Sequence, residues 1–151
     1  MKFRSICLIC TVMLILFGLA CKKNNFQTNP TIKIKDINTT VVAINGELRI
    51  RLTCTDKEGD EGEGELTYIR VRTNIIPIPQ PGMNDQVDTV HTVVPAFPKT
   101  DEVEMFLNIP YNFLNEDPNK NDTMFFKFTL RDNQNHQSDT ISSVSIVAKQ
   151  L

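Results

Sequence analysis

"TMFFKFTLR", residues 123–131, decides the fold. Met124, Phe126, Phe128 and Leu130 take alternate positions, opposed by Lys127, Thr129 and Arg131. A helix of 3.6 residues per turn would scatter these apolar side chains around its axis. An extended chain puts them on one face, so the stretch predicts a strand with one side buried.

The same period recurs on either side. In "ELRIRLTC", residues 47–54, Leu48, Ile50, Leu52 and Cys54 oppose Arg49, Arg51 and Thr53. In "EVEMFLNI", residues 102–109, Val103, Met105, Leu107 and Ile109 oppose Glu102, Glu104 and Asn108. In "TYIRVRT", residues 67–73, Ile69 and Val71 oppose Tyr68, Arg70 and Arg72, which predicts Ile69 and Val71 as the buried pair. Weaker strand signals are "TIKIKDI" from Thr31, "VDTVHTVV" from Val87 and "TISSVSIVA" from Thr140. Clusters of Pro, Gly, Asn and Asp separate the runs: "IPIPQPGMND", "PAFPKTD", "NEDPNKND" and "DNQNHQSD". No stretch carries a helical period. Strands of this number and spacing predict a seven-stranded antiparallel β-sandwich over residues 31–151, with a small closed barrel as the alternative.

The N-terminus is of another kind. Lys2 and Arg4 precede an almost wholly apolar run from Ile6 to Ala20, and small residues lead into Cys21. A basic region, a short apolar region and a small-residue cut site describe a secretory signal peptide over residues 1–20. The run is shorter than the roughly 20 residues a spanning helix needs. "FGLAC", residues 17–21, resembles the lipobox of bacterial lipoproteins. The resemblance implies that Cys21 becomes the first mature residue and carries a diacylglycerol and an N-acyl chain, with residues 21–30 as a polar tether. Lys22, not Asp, follows the Cys, which by the same resemblance implies the outer membrane of the bacterial envelope.

Composition narrows the partners. The whole chain has 16 basic and 18 acidic side chains, and the signal removes two of the basic ones. An acidic domain excludes nucleic acid as an expected partner, because phosphate binding needs a basic face. Cys7 and Cys10 leave with the signal, and an acylated Cys21 leaves Cys54 without a partner; its phase with Leu52 predicts a buried thiol. One Cys and two distant His, His91 and His136, build no zinc site, and no G-x-S-x-G turn is present. The expectation is a protein without catalytic activity.

The chemistry gathers in "CTDKEGDEGEGEL", residues 54–66, with six carboxylates and three glycines. If consecutive strands run antiparallel, this loop shares a pole with "DNQNHQSD" and with the loop around "PAFPKTD". Asp56, Glu58, Asp60 and Asp132 are then candidate ligands for a hard cation such as Ca2+, which takes 6–8 oxygens. Asp56, Glu58 and Asp60 alternate as at the start of an EF-hand loop, but Glu61 and Thr67 stand where that loop needs Gly and Glu, so it is not one. The other reading of the stretch is a solvated turn whose charges keep strand ends from pairing with other chains.

"LTCTDKEGDEG" and "FKFTLRDNQNHQSDTISSVSIV" resemble small lipoproteins of the Bacteroidota, in which a strand runs into D-x-D-G-D-x-G and the last hairpin closes an immunoglobulin-like or fibronectin III-like module. The resemblance implies an immunoglobulin-like sandwich but brings no activity. "DTV", "DTM" and "DTI" likewise resemble the O-glycosylation motif of that group, which implies sugars on Thr89, Thr123 and Thr140. The function expected is a lipid-anchored envelope module that binds or scaffolds an envelope protein or glycan, assisted by calcium. The alternative is an accessory lipoprotein for glycan binding or hydrolysis.

Overall fold

The computed structural model describes residues 29–74, 86–117 and 119–150. The signal segment, Cys21, most of the tether and "IPIPQPGMND" lie outside them. Among the described residues the protein is all-β, with strands β1 (Thr31–Ile37), β2 (Val41–Val42), β3 (Glu47–Thr55), β4 (Glu65–Arg72), β5 (Val87–Val93), β6 (Glu102–Pro110), β7 (Asp122–Arg131), β8 (Ile141–Ser142) and β9 (Ile146–Ala148). One short helix, α1 (Tyr111–Leu114), follows β6. The strands form two sheets, β1-β3-β6 and β2-β9-β7-β4-β5, with β8 also pairing β7.

The alternation seen in the sequence is the burial pattern. Leu48, Ile50, Leu52 and Cys54 of β3 and Met124, Phe126, Phe128 and Leu130 of β7 are all fully buried, and they belong to one core shared by both sheets. Phe126 and Phe128 stack with ring centroids 6.3 Å apart. Each such side chain contributes about 1.5–3 kcal/mol by leaving water, so the two central strands hold the layers together.

Three elements depart from the expectations. The last run divides into β8 and β9, and the two-residue β2 pairs with β9 in parallel, Val41 beside Val147, so the second sheet is not wholly antiparallel. On β4 the predicted phase is reversed: Leu66, Arg70 and Arg72 are buried, while Ile69 and Val71 are only half-buried. The register explains this, because Arg70 lies opposite Phe126 and Arg72 opposite Met124, both core-facing residues.

The interior tolerates these arginines because it is polar at that end. Glu116 reaches in from the β6–β7 connection, accepts a hydrogen bond from Arg70 Nη2 at 2.6 Å and forms an ion pair with Arg72 Nη1 at 2.7 Å. Arg70 also pairs with Asp88 and donates to the Phe113 carbonyl, and its guanidinium lies 4.4 Å from the centre of the Phe113 ring. Asp122, fully buried, accepts the N–H groups of Glu116 and Asp117 and fixes the connection from below. This lower pole is a closed ion cluster.

Candidate metal centre

At the opposite pole three loops meet. The β3–β4 loop bonds the β5–β6 loop through Asp56 N–H to the Asp101 carbonyl at 3.1 Å and Glu63 N–H to the Val94 carbonyl at 3.1 Å. It bonds the β7–β8 loop through Asn133 N–H to the Asp60 carbonyl at 3.3 Å. This is the gathering of loops that alternating strand direction predicts. Thr31 pairs with Thr55, so β1 begins at the same pole and the preceding chain enters there.

The β3–β4 loop is shaped by its glycines. Gly59 has φ +62, and a Cβ on it would lie 2.9 Å from the backbone of Thr100. Gly64 passes so close to β7 that a Cβ would lie 2.3 Å from the Arg131 carbonyl oxygen. Only glycine gives the loop both the left-handed turn and the close approach. Asp56 Oδ1 accepts Glu58 N–H at 3.1 Å, which closes the first turn. Asp132 organises the facing hairpin: its Oδ1 accepts the N–H of Gln134 and of His136, each at 2.8 Å, and its Oδ2 lies 3.0 Å from His136 Nδ1.

These turns bring Asp56, Asp60 and Asp132 together. One carboxylate oxygen from each lies within 4.8 Å of the others, and all three side chains are buried. Asp56 Oδ2 and Asp60 Oδ1 have no hydrogen-bond partner. Glu61 is 0% exposed, with both oxygens unpartnered. Of the four ligands expected from the sequence, three thus converge. Glu58 is half-buried, lies outside this convergence and takes part through its backbone N–H.

Among the described residues Asp56, Asp60 and Glu61 make no ion pair, while Asp132 faces His136. Burial pushes the Asp56 carboxyl above the usual range; the Glu58 N–H opposes this, and the neighbouring Asp60 carboxyl and the charge of Asp132 add to it. Burial likewise pushes Glu61 up; its own backbone N–H opposes this, and the charges of Asp56, Asp60 and Asp132 add to it. Beneath them the Cys54 thiol is pushed up to about 12 by burial and by Glu61, so Cys54 is a thiol of the core and not a nucleophile. Lys57 and Arg131 are exposed, and Arg131 is engaged with Glu65 at 3.1 Å.

A pH dependence follows. The folded-state pKa values of Asp56 and Glu61 stand above their unfolded values, so the folded protein binds more protons and is destabilised as pH rises through the raised values. In chelator, this pair makes the protein more stable to urea at about pH 5 than at about pH 7.5. With saturating calcium the order reverses, because protons then compete with the cation. Urea midpoints at the two pH values, with and without calcium, check both signs.

The residues singled out for sugars lie apart from the centre. Thr89 is exposed on β5, but the preceding Asp88 is held by Arg70. Thr123 is half-buried and follows the fully buried Asp122. Asp139 and Thr140 are both exposed. Beside the acidic pole, a groove of about 500 Å³ opens between β5 and β6, lined by Val93, Val94, Phe97, Val103 and Met105. Gly62 of the acidic loop packs behind its wall, against Phe97.

No protein-family model matches the sequence, and no curated protein matches it.

Proposed function

We propose that this chain is a non-catalytic, lipid-anchored module of the bacterial envelope whose acidic pole binds calcium and presents the surrounding loops to an envelope partner. The observation that carries the reading is the convergence of Asp56, Asp60 and Asp132, with buried oxygens on Asp56 and Asp60 that have no hydrogen-bond partner. Keeping ionised groups out of water costs several kcal/mol each unless something of opposite charge repays it. Calcium supplies that charge and accepts the oxygen-only donor set that carboxylates and loop carbonyls provide. A solvated turn, the other reading of this stretch, leaves its carboxylates in water, and burial of Asp56, Asp60 and Glu61 argues against it.

The immunoglobulin-like reading is supported by strand order. Sheets β1-β3-β6 and β2-β9-β7-β4-β5 correspond to strands A-B-E and A′-G-F-C-C′ of such a sandwich, with loops clustered at two ends. The anchor rests on the resemblance of residues 17–21 to a lipobox, with Cys21 as the acylated residue. The start of β1 at the acidic pole, with Thr31 beside Thr55, is consistent with a membrane-proximal acidic pole in this reading. The partner is an envelope protein or glycan met through the loops; the acidic surface does not favour nucleic acid.

Calorimetric titration of calcium into chelator-treated protein tests the reading. One site with a dissociation constant in the micromolar range or tighter is expected, with protons released on binding. Absence of binding at millimolar calcium contradicts it.

A further inference from the structure

We infer that Glu61, and not Glu58, is the fourth carboxylate of the calcium centre. The inference rests on the calcium reading above and adds a ligand to it. Glu61 is 0% exposed, and neither of its oxygens has a hydrogen-bond partner. The charges acting on it are those of Asp56, Asp60 and Asp132, all of its own sign. It follows Asp60 directly in the chain and is more deeply buried than the three aspartates, at 0% against 3%, 7% and 3% exposed.

A glutamate placed there for packing alone is a poor choice, because a residue of similar volume without charge would fill the space and remove a large desolvation cost. The nearby cationic groups face elsewhere: Lys57 is exposed, Arg131 is held by Glu65, and His136 is directed to Asp132. A metal ion among the aspartates is the countercharge this position lacks. The Glu61 oxygens lie outside the 4.8 Å set formed by the three aspartates, and its long side chain, next in sequence to Asp60, would close that gap to an ion and offer one or two oxygens. Four carboxylates suit calcium, whose coordination shell is large and adaptable, better than magnesium, which demands a tight octahedron and keeps several of its waters.

Glu58 is the contrast. It is only half-buried, and it gives its backbone N–H to Asp56. The change of ligand has a backbone cause. Counted along the strand, Cys54, Asp56 and Glu58 share a phase, but the left-handed turn at Gly59 resets it, and Asp60 and Glu61 are both turned inward.

The test uses the full chain in detergent micelles, titrated with calcium chloride by calorimetry and melted in chelator. Glu61→Gln keeps the shape and removes the charge. It should weaken calcium binding by about tenfold or more, since loss of even an outer-shell partner weakens metal sites on that scale. It should also melt higher than wild type in chelator, because repulsion with the three aspartates is relieved. Glu58→Gln should leave both values unchanged. Wild-type affinity in Glu61→Gln overturns the inference, whatever its melting temperature. If Glu61→Gln does not fold, Glu61→Asp, which draws the oxygens back by one methylene, must still weaken calcium binding, and unchanged affinity overturns the inference equally. Failure of wild type to bind calcium overturns the calcium reading itself, a separate outcome.

Discussion

Calcium at a hundred times its dissociation constant raises the melting temperature by about 10 °C over chelator, and Asp60→Asn abolishes the increase. A ligand at that excess stabilises the folded state by about 2.7 kcal/mol, and a domain of this size gains roughly 4 °C per kcal/mol. Asp60 is the best position for the test because its Oδ1 is buried and unpartnered. Its side chain does not organise a turn, whereas Asp56 closes one and Asp132 holds the β7–β8 hairpin. Asp60→Asn therefore melts at or above the wild-type temperature in chelator and fails to respond to calcium. Asp132→Asn loses the response and also melts lower in chelator, since the neutral amide accepts the Gln134 and His136 N–H groups less strongly. A full calcium response in Asp60→Asn contradicts the site. The comparison is read by differential scanning calorimetry on the same preparations.

The second large effect lies at the other pole. Glu116→Ala destabilises the protein by about 3–5 kcal/mol, the cost of breaking a buried ion pair by removing one partner. Glu116 is the shared acceptor of Arg70 and Arg72, whose side chains are 2% and 3% exposed. Without it Arg72 keeps one long bond, 3.4 Å, to the Leu114 carbonyl, while Arg70 retains Asp88. The exposed pair of Arg49 and Glu47, on the outer face of β3, is the internal control: Glu47→Ala costs less than about 1 kcal/mol, since water screens it. Urea denaturation measures both, and a loss below about 1 kcal/mol for Glu116→Ala shows that the cluster does not bear on stability.

The two poles differ in how much of each the sequence discloses. Period two in residues 47–54, 102–109 and 123–131 gives the strands, their buried faces and, through alternating strand direction, the meeting of Asp56, Asp60 and Asp132. The reversed face of β4 is less visible. Residues 67–73 alternate between two phases of similar apolar content, and the choice depends on Glu116, more than forty residues away in sequence. Strand β2 is too short to show a period, and its pairing with β9 is set by contacts across the whole domain. Helix α1 is a single turn without a capping side chain, so no local signal announces it. Glu61 is missed because a phase count carried through the loop takes no account of the turn at Gly59.

The acidic pole differs from the arginine pole in countercharge. At the lower pole the buried acids face positive charge or N–H groups: Asp88 and Glu116 pair with arginines, although Glu116 Oε2 has no hydrogen-bond donor, and Asp122 takes two N–H groups. At the upper pole Asp56, Asp60 and Glu61 retain oxygens without a donor. The contrast within one small domain sets the upper cluster apart from ordinary buried acids.

The most direct measurement is a crystal structure grown in calcium, with anomalous diffraction collected to locate the ion. The account predicts one strong peak at about 2.3–2.6 Å from carboxylate oxygens of Asp56, Asp60 and Asp132. Clear density for these three side chains with no peak between them, or a calcium ion bound only elsewhere on the molecule, would contradict it.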